Sequence, residues 1–263
     1  MSEPPLVRKY GESGALIVGG TSGVGLATAL GFADAGVRRM VLVGRNAERG
    51  ELARKTVFSS HPDVDVTFVA ADASDNADVE HVVSTAERVM GSVDICVNST
   101  TTAYKPELLH RTPPTTIPEI LLGQAIPPML FTRAVLPLMQ AQGGGSIINI
   151  ASDAAKVPTP GESVLGGAMA AIVMFSRVAA VEAKRNGVRV NVVTPSLIEG
   201  TRTADNVLSD GFSRSLFEKA ATQAHLGVAV PEDLAALIVF LGGPAAARLT
   251  GQTISVNGGI SAF

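Results

Sequence analysis

Short apolar runs alternate with longer amphipathic stretches along most of the chain. The short runs predict seven buried strands, at residues 15–18, 40–43, 64–70, 93–97, 146–150, 188–193 and 253–256. Several of these runs are apolar at every position, as expected for a parallel sheet that is covered on both faces. The alternation therefore predicts an α/β fold in which residues 1–263 form one doubly wound Rossmann domain, a seven-stranded parallel sheet flanked by helices on both faces.

Helical patterns fill the segments between the strands. They cover residues 23–35, 46–59, 76–90, a long region ending at 141, and 162–185, 204–221 and 231–241. Asn46 and Asp75 stand where helix N-caps are expected. Residues 1–12, which carry proline and charge, are expected to form a flexible or packing N-terminal arm.

Composition excludes several classes of protein. Hydrophobic residues make up 46% of the chain and charged residues only 17%, so interfaces between subunits are expected. The net charge of −3, without a basic run, argues against a nucleic-acid partner. The single cysteine, Cys96, excludes a disulfide framework, and the four histidines show no metal-ligand spacing.

A membrane or secreted protein is also not expected. The N-terminal residues carry no apolar signal-peptide segment. The longest charge-free apolar stretch, at residues 163–176, is shorter than the roughly 20 residues that cross a bilayer. The sequence therefore predicts a cytoplasmic protein.

A glycine-rich loop lies between the first strand and the first helix. Its candidate cofactor-binding residues are Gly19, Thr21, Ser22, Gly23, Val24 and Gly25. Glycines in this place permit a tight turn and let a pyrophosphate approach the backbone at a helix N-terminus. A plain tight turn without a ligand is the alternative explanation.

The ends of the next two strands indicate which nucleotide would bind. Arg45 follows the second strand, where an acidic residue would bind a ribose hydroxyl. Arginine suits a 2′-phosphate, so NADP(H) is favoured over NAD(H), although a solvated arginine has the same sequence pattern. Asp72 and Ala73 follow the third strand, where a carboxylate could meet the adenine.

The order of these motifs resembles the short-chain dehydrogenase/reductase family over residues 14–259. The matching segments are the glycine loop, the turn at Asp72, and residues 94–98, 145–152, 188–195, 231–233 and 249–259. The resemblance implies nicotinamide nucleotide binding, with Asn98 also at the cofactor site. It further implies a catalytic set of serine, tyrosine, lysine and asparagine.

The resemblance breaks at three of these four catalytic positions. Ser152 occupies the serine position, but Leu165 and Met169 stand where tyrosine and lysine are implied, and Gln124 replaces the asparagine. Leucine transfers no proton and methionine carries no charge, so the family's acid–base mechanism is not expected. Further departures that suggest weakened or lost cofactor binding lie at Val18, residues 99–101 and Ser196.

The favoured hypothesis from the sequence is a non-catalytic subunit. Such a chain would assemble with an active paralogue into a heteromeric NAD(P)-dependent alcohol or hydroxyacyl-CoA dehydrogenase. The resemblance implies that the partner would contact the helix at 162–185 and the C-terminal strand at 253–256.

Two other functions stay open. One is an atypical NADP(H)-dependent ketoreductase, in which Ser152 polarises the carbonyl. Its replacement acid–base group would come from Tyr104, Lys105, Asp153 or His110, unless these are only solvated rim residues. The other is an NADP(H)-binding sensor or scaffold.

Overall fold

The computed structural model describes residues 7–209 and 211–262, and within these ranges seven strands form one parallel sheet. The strands are β1 Gly14–Val18, β2 Arg39–Gly44, β3 Asp65–Ala70, β4 Ile95–Asn98, β5 Gly145–Ile150, β6 Val188–Pro195 and β7 Thr253–Val256. Their order is β3-β2-β1-β4-β5-β6-β7, and all six pairings are parallel. The predicted α/β fold with its seven-stranded sheet is confirmed.

Helices connect the strands. They are α1 Gly23–Ala35, α2 Ala47–Ser60, α3 Asn76–Met90, α4 Thr116–Ala141, α5 Ser163–Ala183, α6 Arg202–Val207, α7 Gly211–Gln223 and α8 Pro231–Gly242. The side chain of Asn46 caps α2, and that of Asp75 caps α3, by accepting backbone hydrogen bonds of 2.8 and 2.9 Å. Both predicted caps are therefore confirmed.

One predicted helix, at 204–221, is wrong as a single element. The chain forms α6 and α7 instead, with a break after Val207. Gly211, at the start of α7, has a φ of +65°, a left-handed conformation that interrupts a continuous helix. Thr201 caps α6 through a bond of 3.2 Å from the Ala204 N–H.

Alternate residues of each strand face opposite helical layers. Leu16 and Val18 of β1 pack in the core under α3, α4 and α5, whereas Ala15 and Ile17 pack in the core under α1, α2 and α8. Because both faces of the sheet are buried, apolar side chains are required at consecutive positions. This explains the uninterrupted apolar runs in the sequence.

The N-terminal arm predicted at residues 1–12 falls partly outside the described residues, because the first six are not among them. From Val7 onward the arm packs on the domain. The Tyr10 hydroxyl donates to the Val239 carbonyl at 2.8 Å, and Arg8 pairs with Asp94 at 2.9 Å. Tyr10, one of the two tyrosines, therefore has a structural role.

A buried polar network joins β4 and β5 to the helices that cover them. Asn149 on β5 has no exposed surface. Its Oδ1 accepts from Asn98 Nδ2 at 2.7 Å, and its Nδ2 donates to Ser176 Oγ at 2.9 Å. Ser176 Oγ in turn donates to the Ile172 carbonyl at 2.7 Å. Such a satisfied network fixes the relative positions of the elements that it joins.

Two helical segments, Thr116–Ala141 and Ser163–Asn186, are long and apolar enough to cross a membrane by length and composition alone. The sequence expectation considered only the charge-free part of the second. Both segments contribute buried residues to the core on one face of the sheet, including Phe131 and Ala180. A helix buried in a sheet-based core has the same composition, so the cytoplasmic location stays a prediction.

Replacing Asn149 with alanine is expected to lower the free energy of unfolding by about 2–3 kcal/mol, because it leaves the buried amide of Asn98 without its acceptor. Urea denaturation measures the change. Asn76→Ala, at an exposed position of α3, serves as the control, with an expected change within about 0.5 kcal/mol. Equal losses in the two variants would contradict the role of the network.

Candidate functional site

The order of the strands places a crevice at the carboxyl ends of β1 and β4. Strand succession runs outward from β1 to β3 on one side and from β4 to β7 on the other. In open parallel sheets, ligands bind where the succession reverses. The glycine loop, Arg45, Asp72, Asn98 and Ser152 all follow or end strands at this edge.

Two glycines of the loop are required by the packing of the protein itself. Gly19 has a φ of +83°, and a Cβ there would lie 2.5 Å from the Ser99 carbonyl oxygen. A Cβ on Gly25 would lie 2.2 Å from the Gly19 carbonyl oxygen. Larger residues at either position would therefore force the loop away from β4 or α1 away from the loop.

Gly23 differs from these two glycines. Its φ is +50°, yet a Cβ there would meet only the Thr201 methyl group, at 3.6 Å. Ser22 is exposed, and its side chain does not cap α1. The start of α1 is therefore left open, as a bound pyrophosphate requires, and these residues fit a dinucleotide.

The remaining loop residues shape the surroundings of this opening. Thr21 lies over the end of β2, where a Cβ on Gly44 would be only 2.6 Å from its methyl group. Val24 turns into the core under α1. These two predicted cofactor-binding residues therefore have different surroundings, since Thr21 lines the rim of the crevice and Val24 packs under α1.

Arg45 and Asp72 are exposed neighbours on the rim. Asp72 accepts hydrogen bonds from the Ser74 N–H at 2.9 Å and the Ser74 hydroxyl at 2.6 Å. These bonds first, and then the nearby charge of Arg45, hold the pKa of Asp72 below its usual range. Asp72 is therefore a fixed carboxylate on the rim, and Ala73 beside it is buried.

Asn98 ends β4 with its side chain turned into the sheet. It is 2% exposed, and its amide nitrogen donates a hydrogen bond to Asn149 Oδ1. The geometry gives Asn98 a part in holding the strand ends under the crevice.

Ser152 lies directly after β5, at the start of a 3-10 turn formed by Asp153–Ala155. It is half-buried, and its Oγ accepts from the Ala154 N–H at 3.2 Å. Within residues 7–209 and 211–262, the Ser152 hydroxyl donates a hydrogen bond to no protein acceptor. The hydroxyl is therefore able to donate to a substrate oxygen.

The residues at the three positions where the resemblance implies tyrosine, lysine and asparagine form a buried wall without ionisable side chains. Leu165 and Met169 are 8% and 7% exposed and pack in one cluster with Ala151, the residue before Ser152. Gln124 is buried too, and its Nε2 lies 3.4 Å from the Thr102 carbonyl oxygen, to which it donates. None of the three presents a group that exchanges protons at neutral pH.

The carboxylate of Asp153 is bonded to side chains of the C-terminal segment. Its buried carboxylate accepts from the Ser255 hydroxyl at 3.0 Å, the Ser261 hydroxyl at 2.8 Å and the Asn257 amide. Lys156 lies 3.4 Å from the same carboxylate. Asp153 therefore holds the segment around and after β7, which corrects its hypothesised place in a replacement acid–base site.

The other hypothesised replacement residues do not converge. The Tyr104 hydroxyl donates to the Gly161 carbonyl, and burial, followed by the charges of Glu162 and Glu107, raises the pKa of Tyr104 to about 12. Lys105 is exposed, with its Nζ at 3.3 Å from the Ser209 hydroxyl, and His110 is exposed on a separate turn. A tyrosine with so high a pKa keeps its proton at neutral pH.

Glu162 is the titratable residue whose importance the sequence did not reveal. It precedes α5, is only 9% exposed, and forms no ion pair with any described residue. Burial raises its pKa to about 7, and a hydrogen bond from Thr159 opposes only part of this effect. The sequence feature that could have indicated Glu162 is its position three residues before Leu165, which is about one helical turn.

The pKa of Glu162 predicts a pH-dependent effect of Glu162→Gln on stability. Because the folded pKa is raised from 4.5 to about 7, the folded state binds the extra proton, and wild-type stability falls as the pH rises through this window. The glutamine variant avoids this loss, so it should be more stable than wild type by up to about 3 kcal/mol at roughly pH 8.

Chemical denaturation at about pH 5 and about pH 8 measures the difference between the two proteins. The exposed Glu119, replaced by glutamine, provides the control. A difference between wild type and Glu162→Gln that is the same at both pH values would contradict the prediction.

Comparison with known proteins identifies the family. The sequence model of the family described as enoyl-(acyl carrier protein) reductase matches residues 18–261 of this chain. The chain is 30% identical over 251 residues to the 2-(R)-hydroxypropyl-CoM dehydrogenase of Xanthobacter autotrophicus. The aligned region covers 95% of this chain and 98% of the relative.

Solved structures give the same result. Levodione reductase superposes with a TM-score of 0.89 at 25% identity, covering 96% of this chain and 99% of its own. The L-sorbose reductase of Gluconobacter frateurii, solved with NADPH and L-sorbose, superposes with a TM-score of 0.86 at 30% identity, covering 97% of this chain and 100% of its own. With this sheet order, this glycine loop and these relatives, the chain belongs to the short-chain dehydrogenase/reductase family of oxidoreductases.

Proposed function

We propose that this chain is an NADP(H)-dependent oxidoreductase that interconverts a carbonyl and an alcohol without the tyrosine and lysine of its family. The observation that carries the proposal is the open start of α1 at Gly23, set between two glycines that are required for packing. These three glycines match the separate roles of turn, phosphate approach and helix packing in a dinucleotide site.

The preference for NADP(H) rests on Arg45. Its side chain is exposed directly after Gly44, the last residue of β2, over which Thr21 of the glycine loop lies. A guanidinium group binds a phosphate through charge-assisted hydrogen bonds, whereas a ribose hydroxyl at this place is usually bound by a carboxylate. The L-sorbose reductase relative was solved with NADPH, which supports the same choice.

Ser152 would bind the reacting oxygen. A bound nicotinamide nucleotide would supply or accept the hydride. The Ser152 hydroxyl, held by the Ala154 N–H through its oxygen, has its proton available for the carbonyl oxygen of the substrate. A donor aimed at this oxygen stabilises the negative charge that develops on it during reduction.

Leu165 and Met169 set the limits of this chemistry. Their apolar wall offers neither the proton donor nor the cation that the family resemblance implies at these positions. Both residues are buried in one cluster with Ala151, the residue before Ser152, and this apolar surface strengthens polar interactions beside it. We therefore expect turnover that depends on Ser152 and on a proton donor at a different position.

Replacing Arg45 with alanine is expected to weaken NADPH binding by about tenfold or more and to leave NADH binding unchanged, because only NADPH carries the 2′-phosphate. Isothermal titration of the purified chain with each nucleotide measures both constants. Arg88→Ala, an exposed arginine at the end of α3, is the control.

Three outcomes of this titration have distinct meanings. Binding of neither nucleotide by the wild type would contradict the proposal. Equal effects of Arg45→Ala on NADPH and NADH would contradict the role of Arg45. NADPH binding without turnover of any carbonyl would favour a sensor or scaffold.

The second candidate function is the non-catalytic subunit of a heteromeric dehydrogenase. The observation that favours it is an apolar stripe on α5, formed by exposed residues at helical spacing: Gly167, Ala170, Ala171, Met174, Val178 and Val181. Met174 is 58% exposed and Val181 is 62% exposed, although both are large apolar side chains. Such a stripe is typical of a surface that another chain covers.

Replacing Met174 and Val178 together with glutamate is expected to reduce the assembly to monomers, because two charges would enter the apolar stripe. Light scattering at micromolar concentration measures the mass, and circular dichroism checks the fold. Leu52→Glu, at an exposed apolar position of α2, is the control.

A wild-type oligomer that the double variant leaves intact would contradict the role of the stripe. A wild-type monomer would show that copies of this chain do not cover the stripe. That result would favour the non-catalytic subunit of a heteromeric dehydrogenase. An active homo-oligomer would count against that second candidate.

A further inference from the structure

We infer that Glu162 is the proton donor and acceptor of this site, acting on the substrate oxygen that Ser152 binds. The inference rests on the proposed function and adds to it the group that replaces the missing tyrosine.

Glu162 shares a helix face with the substituted catalytic positions. Residues three and seven places further along an α-helix lie on the same side, and here these are Leu165 and Met169. Both pack against Ala151, the neighbour of Ser152. Glu162 thus stands one turn before the tyrosine position, at the start of the helix face whose next turns lie in one cluster with Ala151.

The first turn of α5 is in direct contact with the turn that carries Ser152. A Cβ on Gly166 would lie 2.9 Å from the Ala154 carbonyl oxygen, and the Gly166 N–H donates to the Glu162 carbonyl at 2.6 Å. The backbone of Glu162 is therefore positioned against the same turn. This close packing fixes the start of α5 relative to the Ser152 hydroxyl.

The loop after β4 covers Glu162 from the other side. The Gly161 carbonyl accepts from the Tyr104 hydroxyl and, at 3.1 Å, from the Glu107 N–H. These two bonds dock the loop onto the residue next to Glu162. As a result the carboxyl group is largely removed from water while a small part of the residue stays accessible.

Among the described residues, no cation pairs with this buried carboxyl group. Glu107 and Glu162 both lie close enough to Tyr104 to raise its pKa, so the nearby charge is acidic, and Tyr104 stays neutral. On the turn after β5, Asp153 and Lys156 pair with each other and with the segment around β7. A carboxyl group buried without a counter-ion favours its protonated form near neutral pH, as a general acid must.

Helix capping does not explain the residue either. Glu162 occupies the N-cap position of α5, but its side chain makes no capping hydrogen bond. Serine, threonine, aspartate and asparagine are the residues that cap best at this position. The carboxyl group accepts a hydrogen bond from Thr159 but has no capping role, so its acidic proton is left for another task.

The proton transfer balances as follows. During reduction the carbonyl carbon of the substrate gains a hydride from the reduced nicotinamide nucleotide. The Glu162 O–H bond breaks while an O–H bond forms on the substrate oxygen, which leaves an alcohol and a Glu162 carboxylate. Water at the accessible edge returns a proton to the carboxylate, and alcohol oxidation runs through the same steps in reverse.

The test compares wild type with Glu162→Gln and Glu162→Asp in the full chain. NADPH oxidation is followed with acetoacetyl-CoA, 2,3-butanedione and L-sorbose as probes, over a range of pH. NADPH affinity is measured separately by titration, and carbon-13 NMR of labelled glutamate side chains follows the ionisation of Glu162 directly. Glu232→Gln, an exposed glutamate at the start of α8, is the control.

Glu162→Gln is expected to lower kcat for reduction by about 100-fold and to leave NADPH affinity within about twofold of wild type. Wild-type kcat should fall as the pH rises past about 7, and this fall should be absent in the glutamine variant. Glu162→Asp should keep part of the activity, and Glu232→Gln should keep all of it.

Glu162→Gln with kcat within about twofold of wild type, or with an unchanged pH profile, would overturn the inference while the proposed function stands. A wild-type chain that binds no NADPH, or reduces none of the probes, would overturn the proposed function and this inference with it. The two failures are thus separate observations.

Discussion

The contact between the glycine loop and the end of β4 is the constraint on which the rest of the site depends. Gly19 approaches the Ser99 backbone so closely that no side chain fits between them, and Gly25 approaches Gly19 in the same way. These contacts set the direction of α1 and hold β1 against β4, where the strand order reverses. The crevice exists because backbone meets backbone there without a Cβ between.

Below the crevice, a polar network and an apolar cluster have complementary roles. Asn149 ties β4 to β5 and to α5 through bonds that are fully buried. Leu165 and Met169 fill the space beside Ser152 with aliphatic surface. The backbone around Ser152 is thus held as firmly as a catalytic site requires, although two of the side chains that surround it carry no chemistry.

Two buried acidic residues, Asp153 in the turn after β5 and Glu162 before α5, have opposite surroundings. Asp153 is surrounded by donors from Ser255, Asn257 and Ser261, so its charge is satisfied and serves to hold the C-terminal segment. Glu162 has no such set of donors, and burial dominates its ionisation. The same residue chemistry therefore supports structure in one case and is poised for proton transfer in the other.

The sequence by itself determined the fold, because a sheet buried on both faces demands apolar runs and the helices between them demand caps such as Asn46 and Asp75. It also determined the family, and it predicts that Leu165 and Met169 stand where tyrosine and lysine are implied. Only the tertiary structure separated Asp153 from Glu162. Burial and hydrogen-bond partners come from residues far apart in the chain. No local pattern could therefore assign one carboxylate to the C-terminal segment and leave the other without a counter-ion among the residues that the structure describes.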